Sequence, residues 1–381
     1  MNQNRMKMRN TILTICIAAI AVSCTGQKPV TVTVQNDSSL PRKAETVEIL
    51  FSDLTALDGR LTEENAVVLD SAGRQVPVQV YTERTGQEKL IFQADVPAGK
   101  TCRYTVVSGV REKYDTLVYS RHVPERADDY AYENDLIAGR IYGPALEFPR
   151  TLGQDIWVKS TDRLIIDEWF AKNDYHHNYG EGMDCYKVDA TLGGGACAPY
   201  IGEKIITGDN WATQERICNG PIRTKAVFTC DEFELDRKMC SVTREISLDA
   251  GSRFVKISTW FNCNVDRLPV VLGAVQHDVI ARTDGDRYIA FTEKASDTSD
   301  PERDGDISVG LVVDAAEQDV TAGTMDGHAV LKAVAIPGKR FDVWTGSGWS
   351  QGGIASAEQW ASAVKDFAFA QAHPLKVTVG R

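Results

Sequence analysis

The sequence predicts an all-β protein, with a small N-terminal β-sandwich followed by a large β-sandwich domain that carries one late helix. Three observations support this fold class. Short runs of residues alternate between apolar and polar with the period of two that is typical of a half-buried strand. Glycine, aspartate and proline punctuate these runs at turn-like intervals. The chain has 381 residues, more than one hydrophobic core usually serves, so two domains are expected.

The first group of strands lies between residues 30 and 120. Val30 to Val34 alternates with period two, as do Val47 to Ile49 and Val76 to Val80, the last an edge strand because of Pro77. Similar runs and turn signals follow as far as Val118. This pattern predicts an N-terminal β-sandwich over 30–120. The charged, proline-containing stretch from Arg121 to Asp129 is interpreted as a linker.

The second domain is predicted to span 121–381. Arg244 to Leu248, the turn Asp249 to Ser252 and Phe254 to Phe261 predict a long hairpin. Near the end, Ser356 and Gln359 have capping-box spacing ahead of apolar residues at helical intervals, which predicts the late helix.

The N-terminus predicts export. Arg5, Lys7 and Arg9 precede an apolar run, Ile12 to Val22, that is too short to span a bilayer. The run ends in Ala-Val-Ser-Cys24, which resembles a lipobox. We therefore expect a signal peptide over 1–23, a lipidated tether over 24–29 with the lipid on Cys24, and an outer-membrane location. A plain secretory signal with an incidental cysteine is the alternative.

Charge and cysteine usage exclude several functions. The formal net charge is −11, and loss of residues 1–23, with three basic and no acidic groups, makes it −14. Nucleic acid is therefore not an expected partner. Seven cysteines remain beyond Cys16 and Cys24, and none of their spacings is a CxxC, so we expect at most one or two disulfides and no zinc site. No GxSxG, P-loop or HExxH motif is present.

The richest polar segment runs from Asp174 to Lys187. It contains Tyr175, His176, His177 and Glu181 among further acidic and aromatic residues. Rings that cover sugar faces and polar groups that bind hydroxyls suit a glycan-binding loop, and histidine beside glutamate or tyrosine suits proton transfer. The alternative is a strand edge on which the two histidines alternate between core and solvent. A calcium site is also possible in this oxygen-rich segment, although the prediction is no metal and no cofactor.

A second cluster surrounds Arg140, Tyr142 and Glu147. If Ile137 to Tyr142 is a strand, Arg140 and Tyr142 share a face, where the arginine could hold a sugar carboxylate. A structural ion pair of Arg140 with a nearby acid is an equal alternative. Additional predicted substrate contacts are Trp157, Trp169, Arg223 and His277.

Several motifs resemble those of a known family. The segments Glu133 to Glu147, Asn173 to Asp184, Asn219 to Arg223 and Ile246 to Ser252 resemble an uncharacterised family of Bacteroidetes lipoproteins associated with the use of uronate-containing polysaccharides. More distantly, the layout resembles the β-supersandwich of galactose mutarotases and polysaccharide lyases. This resemblance implies a fold and does not fix a function.

The expected function is a carbohydrate-active enzyme on uronate-containing glycan fragments, with lyase or mutarotase-type epimerase chemistry. Arg140 would bind the carboxylate, His177 or Tyr175 would act as base, and the other of these two or Glu181 would be the acid. A non-catalytic glycan-binding lipoprotein is the alternative. A glycoside hydrolase that uses Glu147 and Glu181 is the third hypothesis.

Overall fold

A computed structural model describes residues 29–148, 151, 153–298, 300–314, 316–317 and 319–381. It confirms the all-β prediction, with a small sandwich beside a large sandwich of two layers. The predicted lipidation site, Cys24, lies outside the described residues. In the part of the chain that is described, no helix is long and apolar enough to cross a membrane.

The small sandwich consists of the first seven strands and one short helix. The strands β1 to β7 are Val30–Gln35, Arg42–Leu50, Ala66–Leu69, Gln75–Val76, Val78–Thr82, Glu88–Val96 and Thr101–Ser108, and helix α1 is Phe51–Leu57. One sheet contains β1, β7, β3 and β4, and the other contains β2, β6 and β5. The alternating valines of β1 are fully buried between the two sheets, as the period-two pattern predicted.

The C-terminal strand lies in the small sandwich, although the prediction assigned residues 121–381 to the second domain. Lys376–Gly380 pairs antiparallel with β1 and extends the small sandwich. The predicted linker is also structured, because Val118–Val123 and Asp129–Asn134 form a hairpin around a 3-10 turn at Pro124–Arg126. The boundary at residue 121 thus falls inside a strand, and the range 121–381 includes one strand of the small sandwich.

Strands β8 to β26 build the large sandwich, and β27 is the C-terminal strand of the small one. Strands β8 to β14 are Val118–Val123, Asp129–Asn134, Ala138–Ile141, Gln154–Lys159, Gly182–Asp184, Ala196–Ile201 and Lys204–Ile205; β15 to β21 are Trp211–Gly220, Arg223–Cys230, Phe233–Leu235, Lys238–Asp249, Phe254–Cys263, Leu268–Val275 and Val279–Asp284; β22 to β27 are Tyr288–Lys294, Asp306–Val313, Thr321–Met325, His328–Ala335, Arg340–Trp349 and Lys376–Gly380.

Two layers enclose one large core. The first layer is a nine-stranded sheet in the order β15-β16-β18-β19-β26-β23-β22-β21, with β17 paired to β18. The second layer comprises two five-stranded sheets, β12-β11-β10-β9-β8 and β14-β13-β20-β25-β24. Ile156, Leu272 and Val309, one from each sheet, belong to the same buried apolar cluster.

The three glycines Gly193 to Gly195 connect the second layer. Gly193 forms a parallel bridge with Gln154, and a Cβ atom at Gly193 would lie 2.3 Å from the carbonyl oxygen of Gln154. Glycine at this position allows the two backbones to approach closely, since any side chain here would overlap the neighbouring strand.

The predicted late helix is α4, Ala357–Ala372, the longest helix in the described ranges. Its cap is close to the predicted capping box: the Ser356 hydroxyl accepts from the Gln359 amide at 3.2 Å, and the Gln359 side chain accepts from the Ala355 amide at 2.8 Å. Three shorter helices were not predicted, namely α1, α2 at Ile166–Lys172 and α3 at Pro301–Asp304.

The predicted hairpin is β18 and β19, and its far end carries the disulfide Cys240–Cys263. These two cysteines face each other in register, which sequence spacing could not show.

Candidate functional site

Arg140 is buried in a network of carboxylates. Its guanidinium is 3% exposed and donates to Asp155 at 2.7 Å, to Asp184 at 2.9 Å and to Asp129 at 3.4 Å. Asp155 lies directly across the sheet from Arg140, on β11, so strand register creates the first pair. The structure therefore shows the ion pair between Arg140 and nearby acids that was the alternative interpretation of the sequence. The expectation that Arg140 offers its charge to a sugar carboxylate is corrected, because three protein carboxylates already surround it.

Aromatic rings close this network off. Tyr142, Trp157 and Tyr175 each place a ring within 5.6 Å of the Arg140 guanidinium carbon. The Tyr175 hydroxyl accepts from Arg140 at 3.2 Å and from Arg126 at 2.9 Å. Trp157 is fully buried and, like Trp169, belongs to an apolar cluster. Their predicted role as walls of a substrate site is also corrected, because neither ring faces an open surface.

The pKa values of the acidic partners of Arg140 are raised by burial. Burial raises the pKa of Asp184 well above its usual value, and the neighbouring Asp155 raises it further, although Arg140 lowers it. Burial likewise raises the pKa of Asp155 and of Asp129. The charge of one guanidinium is shared among three buried carboxylates, so it offsets the effect of burial on each pKa only in part.

His176 is the loop histidine that lies beside this network. Its ring is about half exposed, its Nδ1 donates to the Asp184 carbonyl at 3.1 Å, and its Nε2 lies 3.8 Å from an Asp184 carboxylate oxygen. His177 points away, is exposed and packs against the ring of Tyr179.

Glu181 is likewise on the surface, where it accepts from Arg163 at 2.6 Å. The predicted loop and strand thus converge through Tyr175 and His176, but His177 and Glu181 are not brought to Arg140. Among the described residues, His177, Glu181 and Arg140 therefore do not form the shared site that was expected for a lyase.

Two further predicted residues lie elsewhere. His277 is partly buried and donates from Nδ1 to Glu293 at 2.6 Å; burial lowers its pKa, but the hydrogen bond and charge of Glu293 raise it more, and the net shift is upward. A buried ionic partner of this kind is typical of a structural histidine. Glu147 is exposed on a loop. In the described ranges no cluster of three or more histidine, cysteine or acidic side chains could hold a metal ion.

Arg223, one of the predicted substrate contacts, lines a large cleft. The cleft lies between the small sandwich and the outer face of the nine-stranded sheet, and its volume is about 720 Å³. Six basic and three acidic side chains line it, namely Arg84, Lys89, Arg223, Lys225, Lys256, Arg340, Glu48, Glu83 and Glu245. Three further carboxylates pair with these cations, namely Asp249 with Arg223, Asp342 with Lys256 and Arg340, and Glu215 with Arg84.

The floor of the cleft follows from strand alternation. On β19, Val255, Ile257 and Phe261 enter the core, so Lys256, Ser258 and Trp260 project from the opposite face. Trp260 is partly exposed in the cleft, beside the polar residues of the floor. Helix α4 covers the next part of the same face, where Trp360 and Val364 are fully buried.

The small sandwich forms the opposite wall through ion pairs with the sheet. Arg223 donates to both oxygens of Asp249 at 2.6 and 2.7 Å and is also paired with Glu48. Lys225 bridges Glu83 and Glu245 at 2.9 and 3.1 Å. Burial raises the pKa of Glu48, but Arg223 and Lys89 lower it more, so this carboxylate is ionised at neutral pH.

The chain can be compared with known proteins through its family and its fold. The family model described as a domain of unknown function (DUF4861) matches residues 34–377. "Uncharacterized protein P7" of Formosa agariphila is 27% identical over 400 aligned positions, which cover 98% of this chain and 100% of that protein.

Two solved structures share the fold. They are a protein in the glycosyl hydrolase family 38 from Enterococcus faecalis, with a TM-score of 0.52 and 11% identity, and an alpha-mannosidase from Enterococcus faecalis V583, with a TM-score of 0.51 and 9% identity. The matches cover 93% and 92% of this chain but 47% and 46% of those structures, so the chain spans about half of their length. At such low identity the likeness concerns the fold alone. The family match extends over most of the sequence, and the chain therefore belongs to the DUF4861 family.

Proposed function

We propose that this protein binds fragments of uronate-containing glycans in the cleft between its small sandwich and its nine-stranded sheet. The observation that carries the proposal is the partly exposed ring of Trp260 on the floor of a cleft lined by charged and hydroxyl side chains. A glycosyl hydrolase family 38 protein and an alpha-mannosidase share the fold, and this supports a carbohydrate ligand.

The chemistry of the cleft matches that of a sugar. The C–H face of a pyranose ring stacks on an indole, while hydroxyl groups exchange hydrogen bonds with charged side chains. The cations Arg340 and Lys256 remain 57% and 34% exposed in the cleft and can donate charge-assisted hydrogen bonds to the acidic group of an anionic sugar, which a neutral sugar lacks.

Calorimetric titration with a panel of neutral and uronate oligosaccharides tests the proposal. Trp260→Ala should weaken binding by roughly tenfold or more, as expected for a central aromatic anchor. Tyr179→Ala, which removes an exposed ring from the loop after α2, is the matched control and should leave affinity unchanged. If both variants lost affinity equally, or if only Tyr179→Ala abolished binding, the cleft would not be the binding site and the ligand would be placed on the loop instead.

Turnover by lyase or epimerase chemistry is a second candidate. It is favoured by the half-exposed His176 ring, which lies beside the carboxylate of Asp184; burial raises the pKa of this acid, and a proton could pass through the histidine between the acid and solvent. Ultraviolet absorbance would report an unsaturated product from a uronate oligosaccharide. If turnover is seen, His176→Ala should abolish it. Loss of turnover in His177→Ala or Glu181→Ala would instead support the roles predicted for those two residues from the sequence.

The location of the protein is also proposed. Lipidation of Cys24 would anchor it to the outer membrane, where a glycan-binding protein would capture oligosaccharides. The Cys24→Ala variant should appear in the soluble fraction, and unchanged membrane fractionation would contradict the anchor.

A further inference from the structure

Asp342 is a buried carboxylate that organises the cleft floor. It is on the outer face of β26, and its side chain is 7% exposed. It accepts three hydrogen bonds or ion pairs from cleft-lining side chains: from the Ser258 hydroxyl at 2.7 Å, from the Lys256 ammonium at 2.9 Å and from the Arg340 guanidinium at 2.8 Å. Two cations therefore share one anion.

The register between β19 and β26 places this group beside the aromatic floor. Trp260 lies directly opposite Arg340, and Ser258 lies directly opposite Asp342. Cross-strand neighbours on one face are about 5 Å apart, so the arginine and the indole form adjacent parts of one surface. Lys256 is fixed from a second side, with its ammonium 5.2 Å from the centre of the Trp344 ring.

The two cations keep binding capacity for a ligand. The side chain of Arg340 is 57% exposed and that of Lys256 is 34% exposed. A guanidinium has five N–H donors and an ammonium has three, and a single carboxylate cannot accept from all of them. Lys256 and Arg340 carry two positive charges and Asp342 carries one negative charge, so one positive charge remains for a ligand.

We propose that Asp342 is a positioning residue that holds Lys256 and Arg340 as a subsite for an anionic group, a carboxylate or a sulfate, on a sugar whose ring stacks on Trp260. This inference rests on the proposed glycan-binding function and specifies which cations recognise the acid. Asp342 itself does not touch the ligand. It prevents the two like charges from moving apart into solvent, so their donors are in place before the anion arrives.

The direction in which Asp342→Asn changes the affinity for an anion distinguishes a positioning role of Asp342 from a purely electrostatic one. If Asp342 acted only through its charge, its neutralisation would raise the net charge of the subsite and strengthen the binding of an anion. If Asp342 positions the cations, the asparagine amide cannot pair with both, they separate, and the binding of the anion weakens. We expect weakening by about threefold or more, and unchanged or stronger binding would overturn the proposal.

The probes are trigalacturonate, its methyl ester and a sulfated galactotriose, titrated into the full-length protein. Arg340→Gln should weaken trigalacturonate by about tenfold, the effect of one charge-assisted hydrogen bond, and should leave the uncharged ester unchanged. Arg74→Gln is the matched control, because this exposed arginine also pairs with one aspartate but belongs to a turn of the small sandwich. Comparable affinity for the sulfated probe would assign the subsite to anions in general, and weaker affinity would assign it to carboxylates.

The possible failures can be told apart. If wild-type protein binds none of the three probes, the proposed function fails. If it binds trigalacturonate and its ester equally, and Arg340→Gln and Lys256→Gln change neither, glycan binding stands and the anion subsite is wrong. Circular dichroism of Asp342→Asn checks that the fold is retained, and the two surface variants test the subsite even where Asp342→Asn unfolds.

Discussion

Arg140→Met is the substitution that most directly tests whether the Arg140 network is structural. Methionine keeps an unbranched apolar side chain at this position, but it is shorter and uncharged and therefore leaves Asp155, Asp184 and Asp129 without their cation. The first two pairs are 2.7 and 2.9 Å long, and all partners are at most 3% exposed. Removing one member of such a buried pair costs about 3–5 kcal/mol. This is a large part of the roughly 5–15 kcal/mol that keeps a typical protein folded.

Guanidinium unfolding, followed by tryptophan fluorescence, measures the loss, because Trp157 stacks beside the network. The exposed Arg163 pairs with two glutamates, and Arg163→Met is the matched control. It should change stability little, since exposed ion pairs contribute little. Asp184→Asn in the Arg140→Met background should restore part of the loss, because one uncompensated buried charge is then removed.

The loss should also depend on pH. Burial already raises the pKa of Asp155 and Asp184, and without Arg140 these pKa values rise further. The folded variant then binds more protons than the unfolded chain, so its stability falls as pH rises. The deficit relative to wild type should be smaller near pH 5 than near pH 8. Unchanged stability together with lost glycan binding would refute this reasoning and restore Arg140 as a ligand clamp.

Three further perturbations have defined outcomes in unfolding experiments. The raised pKa of His277 means that its pairing with Glu293 stabilises the fold below about pH 6.5 and loses this effect as pH rises through the folded pKa, so His277→Gln should flatten that part of the pH profile. Burial lowers the pKa of His328, so its contribution is present above about pH 6.5 and is lost as pH falls, and His328→Gln should reduce this acid sensitivity. Cys240→Ser opens a 23-residue loop and should cost about 3 kcal/mol, which reducing agent should reproduce in wild type. A flat pH profile in wild type, or no effect of reduction, would contradict the respective prediction.

The parts of the fold that sequence predicted are those whose causes are local. The hairpin of β18 and β19 follows from alternation and a four-residue turn, in which Gly251 has a positive φ of 72°. Helix α4 follows from its own cap and apolar spacing. The partner of β27 is not local: Lys376–Gly380 alternates like a strand, but nothing in those five residues indicates that they pair with the first strand of the chain.

The candidate site was harder to predict because residue types do not reveal which face of a strand is covered. Arg140 and Tyr142 were grouped correctly, yet the carboxylates that neutralise Arg140 come from β9, β11 and β12. Trp260 was recognised as a strand residue. Its importance depends on the outer face of the sheet remaining open between α4 and the small sandwich, which is a property of the tertiary packing.

Arg140 and Arg340 show how the same side chain can have opposite roles. At Arg140 a ligand carboxylate would have to displace a protein carboxylate that is itself buried, and the displaced charge would have no water to receive it. At Arg340 the guanidinium is more than half exposed and shares its one carboxylate with Lys256, so an incoming anion adds to the group and displaces nothing. We therefore expect an acidic sugar to bind on the cleft floor and not at Arg140, so substitutions at Arg340 should affect binding where substitutions at Arg140 affect folding.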